Sequence, residues 1–345
     1  MATAPAAMEI AMSSGSLSEK FVSLGLQRVT ILLFRALMVW LRGSGPMRLV
    51  LMTLVAGCAL LMTACGGGGA SSAVAASPDP TPATPSSLTA AWREPLKVSY
   101  QGVALDIVID KPAGTAFDVL LVYHGTVMQD ALVMQAAQKT LEEFRGLLDD
   151  PTVMVVSVAY PEENLLIGDN LAQAEAALLW VKHRAAAELG LQIRHVFLGG
   201  HSQGGYLVTR LNTLHPTQGV IANAPGPVDL VHRCRLEEEG TIASGEHCTR
   251  LRQAYGTTSA NPAAYTARSL GSFTTGYQSD ILFVQGLEDS RHVQMAVWPG
   301  FKQQVQACTN CRGVQVLELP GFGHEALFYN PQARDAFRAF LNARR

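Results

Sequence analysis

Val196-Phe197-Leu198-Gly199-Gly200-His201-Ser202-Gln203-Gly204-Gly205 is the stretch on which the reading of this chain turns. Three apolar residues of strand type run straight into Gly-X-Ser-X-Gly, and a segment that suits a helix follows. In that context the serine stands on a sharp turn that lifts its hydroxyl above a sheet, and glycines on either side leave room for the strained backbone. The pentapeptide alone would say little. Between a strand and a helix it marks Ser202 as a candidate nucleophile.

Outward from this stretch, apolar runs of strand length alternate with longer segments of helical period. The strand candidates are Val119 to Tyr123, Val153 to Val158, Val196 to Leu198, Val220 to Ala222, Ile281 to Val284 and Val314 to Leu319. Parallel neighbours need a crossover between them, so the alternation predicts an α/β fold with a mostly parallel central sheet and helices on both faces. Leu171, Ala174, Leu178, Val181 and Ala185 recur at helical spacing, with Asn170 and Gln173 as a capping box and Gly190 as the stop. Leu96 to Gly102 and Val103 to Asp110 read as an antiparallel pair ahead of the first parallel strand. Residues 228–279 break the rhythm with polar clusters, two cysteines and no clear strand, which predicts an inserted cap. Glu237, Glu238 and Glu239 within it read as a solvated face.

A serine hydroxyl is a poor nucleophile at neutral pH, so a histidine must take its proton and a carboxylate must fix that histidine's tautomer. Of the nine histidines, only His292 and His324 lie after a late strand, and His324 follows the last one in Gly321-Phe322-Gly323-His324. His324 is therefore the candidate base. Ile281 to Val284 runs into Gln285-Gly286-Leu287-Glu288-Asp289, a turn with two carboxylates of which only one can point at His324. Asp289 is the better placed; Glu288 is the alternative, as is Asp229 beyond the preceding strand. Charge developing on a substrate oxygen needs two backbone N–H donors. Gln203, directly after the serine, is one candidate, and Thr126, after Leu121-Val122-Tyr123-His124-Gly125, is the other. His124 is then a structural loop residue.

His124-Gly125, Gly200-His201-Ser202-Gln203-Gly204-Gly205, Gly286-Leu287-Glu288-Asp289 and Gly323-His324 together resemble the α/β-hydrolase superfamily, its prolyl oligopeptidase and dienelactone hydrolase branches above all. The resemblance spans residues 97–343. It implies an α/β-hydrolase fold and a Ser202, Asp289, His324 triad acting through an acyl-enzyme, with no metal and no organic cofactor. Asp289, not Glu288, stands at the superfamily's spacing from Gly286, and His201 is expected to pack beneath the turn. No propeller domain precedes the hydrolase part, which counts against a true oligopeptidase. The leading expectation is hydrolysis of a carboxylic ester, small or derived from a polymer. A peptidase or amidase with the same triad is the first alternative, because both reactions share one tetrahedral intermediate. A non-catalytic binding lipoprotein is the second.

The chain has 345 residues, 48% hydrophobic and 16% charged with a net charge of -2, which fits a globular enzyme and not a disordered chain. No dense Lys/Arg cluster offers what phosphate neutralisation requires, so a nucleic-acid partner is not expected. The N-terminal part reads as an address. From Met47, Arg48 precedes an apolar run that ends in small residues and a cysteine, the pattern of a signal peptide. Leu61-Met62-Thr63-Ala64-Cys65 resembles the lipobox of bacterial lipoproteins, which makes Cys65 the expected lipidation site; Leu54-Val55-Ala56-Gly57-Cys58 is a competing match. The run falls short of the roughly twenty residues that a membrane span needs. Residues 1–64 are thus expected to be a targeting region, with translation starting at Met47, or an unusually long one if the upstream residues are genuine.

Residues 65–95, rich in Gly, Ser, Ala and Pro, are the expected tether, and residues 96–345 the folded domain. A lipid-anchored protein of a bacterial cell envelope, on the periplasmic or extracellular face, meets oxidising conditions. Of the six cysteines, Cys234 and Cys248, and Cys308 and Cys311, are therefore the expected disulfide pairs. A zinc site at Cys308-Thr309-Asn310-Cys311 lacks a second pair at matched spacing.

Overall fold

The computed structural model describes residues 89–345. The expected start at Met47, the cysteines Cys58 and Cys65, and most of the tether lie outside the described residues. The strands are β1 Trp92–Tyr100, β2 Val103–Lys111, β3 Ala116–Tyr123, β4 Met154–Ala159, β5 Gln192–His201, β6 Gly219–Asn223, β7 Ile281–Gly286 and β8 Val314–Leu319. They form one sheet in the order β1-β2-β4-β3-β5-β6-β7-β8. The connecting helices are α1 Val133–Leu147, α2 Leu171–His183, α3 Gln203–Leu214, α4 Leu230–Glu238, α5 Glu246–Tyr255, α6 Pro262–Thr266, α7 Gln294–Gln306, α8 Ala326–Tyr329 and α9 Pro331–Asn342, beside shorter turns. Among the described residues no helix is long and apolar enough to cross a membrane.

β1 and β2 form the predicted antiparallel hairpin, closed by Gln101 and Gly102 at φ 48° and 84°. Two consecutive positive φ values give a turn whose twist matches that of the flanking strands. β2 also pairs antiparallel with β4, and every pair from β4–β3 to β7–β8 is parallel. The chain moves outward from β3 to β4 and then back across β3 to β5. That reversal puts the crossover helices on opposite faces, because parallel crossovers keep one hand. Side chains along β3 alternate accordingly: Leu121 and Tyr123 join the core beneath α2, α3 and α7, and Leu120 and Val122 join the core beneath α1 and α9.

Four expectations need correction. The domain begins ahead of Leu96, since β1 pairs along the whole of β2 from Trp92 opposite Lys111. The buried Lys111 ammonium fixes this start by donating to the carbonyls of Ala90, Pro112 and Gly114 at 2.9, 3.1 and 3.1 Å. The capping box does not form. Asn170 stands at φ -77°, ψ 2°, not in the extended conformation an N-cap needs, and its Oδ1 and the Gln173 Oε1 are buried without a partner among the described residues. α2 stops at His183, and a further turn intervenes before Gly190 at φ 63°.

The last correction concerns the acidic run Glu237, Glu238 and Glu239 in the cap. Residues 228–279 are helical, α4 to α6, and Leu230, Cys234, Cys248, Leu251 and Tyr265 with Ile167 form a small core of their own around the Cys234–Cys248 disulfide. Glu237 is not solvated: its side chain is fully shielded and its Oε2 accepts from the Gly245 N–H at 2.9 Å. Glu238 accepts from the Thr258 N–H and hydroxyl at 2.9 and 2.7 Å, so only Glu239 keeps the exposed role. These acids tie the cap together. Cys308 and Cys311 form the second disulfide, in the turn between α7 and β8.

Candidate active site

Ser202 occupies the junction between β5 and α3 at φ 56°, ψ -116°. A non-glycine residue in such a region is strained by roughly 1–3 kcal/mol and persists only where its surroundings hold it. Here the Asn223 carbonyl accepts from the Ser202 N–H at 2.9 Å, and the Ser202 carbonyl accepts from the Tyr206 and Gly226 N–H groups at 3.0 and 3.1 Å. The flanking glycines are a steric requirement. A Cβ on Gly200 would meet the Gly204 carbonyl oxygen at 2.1 Å, and one on Gly204 would meet the Tyr123 carbonyl oxygen at 2.0 Å.

His324 and Asp289 come from the loops after β8 and β7, which approach so closely that a Cβ on Gly286 would lie 2.1 Å from the Gly323 carbonyl oxygen. The Asp289 Oδ2 accepts from the His324 Nδ1 at 2.7 Å and from the Gln285 Nε2 at 3.1 Å, while Oδ1 accepts from the Ser290 N–H at 2.6 Å. Burial alone would raise the pKa of Asp289. The His324 hydrogen bond and charge, with the Ser290 and Gln285 donors, outweigh it and hold the carboxyl below its ordinary value. An ionised Asp289 keeps the proton of a neutral His324 on Nδ1 and leaves Nε2 as the acceptor.

The other acid candidates fall elsewhere. Glu288 is exposed, and the Asp229 Oδ1 caps α4 by accepting from the His232 N–H at 2.9 Å. His292 is also exposed, its carbonyl accepting from the His232 Nε2 at 2.7 Å.

Ser202, His324, Asp289 and Thr126 line one cavity of about 260 Å³. Among the described residues no hydrogen bond joins the serine hydroxyl to the imidazole. Catalytic contacts are commonly loose in a substrate-free site and tighten when substrate is bound. Gln203 is buried at the start of α3, and its Oε1 accepts from the Thr126 hydroxyl at 2.9 Å, which couples the two loops that carry the candidate oxyanion donors. His124 is buried and stacks on Tyr160 with ring centres 3.9 Å apart, and its Nδ1 donates to the Gly125 carbonyl at 2.6 Å. Burial pushes its pKa to about 4, so it is neutral at neutral pH. His201 packs 4.8 Å from the His324 ring, accepts at Nδ1 from the Asn223 Nδ2 at 2.8 Å, and is pushed by burial to about 3.

Two features of the site are not legible in the sequence. Glu162 is buried beneath the Thr126 loop, where its Oε2 accepts from the Val127 N–H at 2.9 Å, and burial raises its pKa to about 8. An acidic pair just after a strand, Glu162-Glu163, looks like an ordinary solvated turn. Arg233 of α4 and His247 of α5 line the cavity from the cap side, and no local pattern could have placed them there.

No protein-family model matches the sequence, and no curated protein matches it. Solved structures do. One of two fungal esterases from Rhizomucor miehei aligns with a TM-score of 0.55 at 17% identity, over 75% of this chain and 85% of that one. A truncated carbohydrate esterase from gut microbiota aligns with a TM-score of 0.55 at 16% identity, over 75% of this chain and 98% of that one. An acylaminoacyl peptidase from Pyrococcus horikoshii aligns with a TM-score of 0.51 at 12% identity, over 73% of this chain and 42% of that one. At such identities the likeness shows the fold, and the fold is that of the α/β-hydrolases.

Proposed function

We propose that this chain is a serine hydrolase that cleaves a carboxylic ester through an acyl-enzyme on Ser202. The observation that carries the reading is a serine held at φ 56° in one cavity with His324, whose Nδ1 is bonded to Asp289. In this account the His324 Nε2 takes the hydroxyl proton as the Ser202 Oγ attacks the ester carbonyl. The Asp289 carboxylate stabilises the imidazolium that forms without itself taking the proton. The Gln203 and Thr126 N–H groups receive the oxyanion. His324 then hands its proton to the leaving alcohol, and a water activated by the same nitrogen releases the acid.

One observation favours esters over peptides: the cavity of about 260 Å³ lies below the usual range of ligand sites, which leaves little room around the nucleophile for an extended peptide. A second cavity shares Val228, Asp229 and Val297 with the first, which gives a longer, polymer-derived substrate somewhere to extend. Lipidation at Cys65 would hold the domain at a bacterial envelope membrane and bring it to such a substrate.

The discriminating experiment compares p-nitrophenyl esters of rising chain length with aminoacyl p-nitroanilides, on protein truncated after Cys65. Esters are expected to be cleaved, with the shorter ones preferred. Anilides cleaved faster than every ester would make the protein a peptidase.

A further inference from the structure

The sheet side of the cavity is accounted for by the catalytic loops, and the cap side is not. Arg233 and His247 both line the cavity that holds Ser202 and His324. The Arg233 side chain is 35% exposed and lines the cavity. Its Nε forms an ion pair with the Glu237 Oε1 at 3.5 Å, too long for a good charged hydrogen bond, and neither of those buried atoms has a hydrogen-bond partner among the described residues. The terminal nitrogens of the fork make no hydrogen bond among the described residues. Beside it, both ring nitrogens of His247 are buried and unpartnered. Burial first, then the charges of Arg233 and Arg250, hold the His247 pKa down to about 4, so the ring is neutral and offers one N–H.

A buried polar atom left unpaired is destabilising, and several on one wall of a reactive cavity call for a partner. The carboxylates nearby supply it only in part: Glu237 pairs with the Nε and leaves the terminal nitrogens of the fork without a hydrogen bond among the described residues. Asp289 is committed to His324, Gln285 and Ser290, and the Glu237 Oε2 to Gly245. Asp229 lines the cavity but spends its Oδ1 on the start of α4.

We infer that Arg233, with His247 beside it, forms a subsite for a carboxylate carried by the substrate, so that the preferred esters bear an anionic group near the scissile bond. A guanidinium fork matches a carboxylate in two parallel hydrogen bonds, and a neutral imidazole N–H adds a third donor. The inference rests on the proposal that Ser202 is the nucleophile, and it names the substrate class for that site. Asp229 supplies the opposing possibility, a cationic substrate, and the test includes it.

The test has a kinetic and a binding arm. The kinetic arm compares kcat/KM for p-nitrophenyl valerate (neutral) with p-nitrophenyl hemiglutarate (anionic acyl group) and 4-(trimethylammonio)butyrate p-nitrophenyl ester (cationic). 4-carboxyphenyl valerate carries the anion on the leaving group instead. At least one anionic ester is expected to be preferred over the neutral one. Arg233→Gln should lower that anionic-to-neutral ratio roughly ten- to hundredfold, the range for a hydrogen bond to a charged group. Arg233→Lys, which keeps the charge and loses the fork, should fall between, and matched unfolding midpoints establish that both variants are folded.

The binding arm titrates glutarate and glutaramide into Ser202→Ala protein by calorimetry. Glutarate should bind, glutaramide should not, and adding Arg233→Gln should abolish the difference. A preference for the cationic ester, or an anionic-to-neutral ratio unmoved by Arg233→Gln for both anionic esters together with no glutarate binding, would overturn the subsite while leaving the hydrolase intact. Arg233-dependent glutarate binding by a protein that cleaves no ester would uphold the subsite and remove the hydrolase reading.

Discussion

At the scale of single residues, the site separates into what chemistry demands and what packing decides. Gly200 and Gly204 are legible because the turn forbids a side chain at either place, and backbone oxygens at 2.1 and 2.0 Å are the physical form of that rule. His324 is legible because it follows the last strand. Asp289 is preferred to Glu288 by its spacing from Gly286, but the spacing does not show which way either side chain points, since neighbours in a turn differ in direction. The bonds from the Glu288 N–H to the Phe322 carbonyl and from the Asp289 N–H to the Gly286 carbonyl set that direction, turning Asp289 inward and Glu288 outward. Asp289→Asn should therefore lower kcat by roughly ten-thousandfold through loss of tautomer control, whereas Glu288→Gln should change it little. Steady-state rates on any responsive ester decide this, and the reverse ranking would move the acid to Glu288. Arg233 and His247 were invisible for a different reason: their meaning depends on how the cap folds back over the sheet.

Among the elements, the strands were easy to read and the connections were not. Buried parallel strands advertise themselves as apolar runs, as in Val153 to Val158, whereas the start of α2 is held by packing and not by the capping box its sequence offers. The Thr126 loop is a case where the governing element lies elsewhere in the chain. Asp130 accepts from the N–H groups of Glu162 and Glu163 at 2.9 Å each, and the Glu162 carboxyl takes the Val127 N–H, so the turn after β4 fixes the loop after β3.

Glu162 has a measurable pH signature. Burial dominates its environment; the Val127 N–H and Arg250 oppose the shift and Asp130 adds to it, leaving the folded pKa at about 8 against an ordinary 4.5. A carboxyl raised in this way binds more protons folded than unfolded between those values. Its contribution to stability is full below pH 4.5 and is lost as the pH rises toward 8. Glu162→Gln keeps an acceptor for the Val127 N–H and cannot ionise, so its unfolding free energy should fall less steeply than that of the parent across this window. Denaturant melts at pH 5, 6, 7 and 8 measure the two slopes; equal slopes would mean that Glu162 is not the titrating group.

On the scale of the whole molecule, the sheet order follows from one reversal at β3, and the candidate residues Thr126, Ser202, Asp289 and His324 follow the carboxyl ends of β3, β5, β7 and β8 and line one cavity. Because those residues all follow strand ends, their positions are legible from strand-and-turn order alone. The cap supplies what remains, and its helices gave no periodic signal strong enough to orient them. Outside the described residues stands the proposed anchor. Cys65→Ser should leave an unlipidated precursor and release the protein from the membrane fraction, because the thiol is the acyl acceptor; the same loss from Cys58→Ser alone would move the site to Cys58.

The central claim, an activated Ser202, is tested most directly with a fluorophosphonate probe and mass mapping of the labelled peptide. An activated serine beside a base attacks such reagents, and an ordinary serine does not. The predicted result is one adduct on Ser202, absent in Ser202→Ala and strongly slowed in His324→Ala. Equal labelling of the parent and of Ser202→Ala would contradict the account.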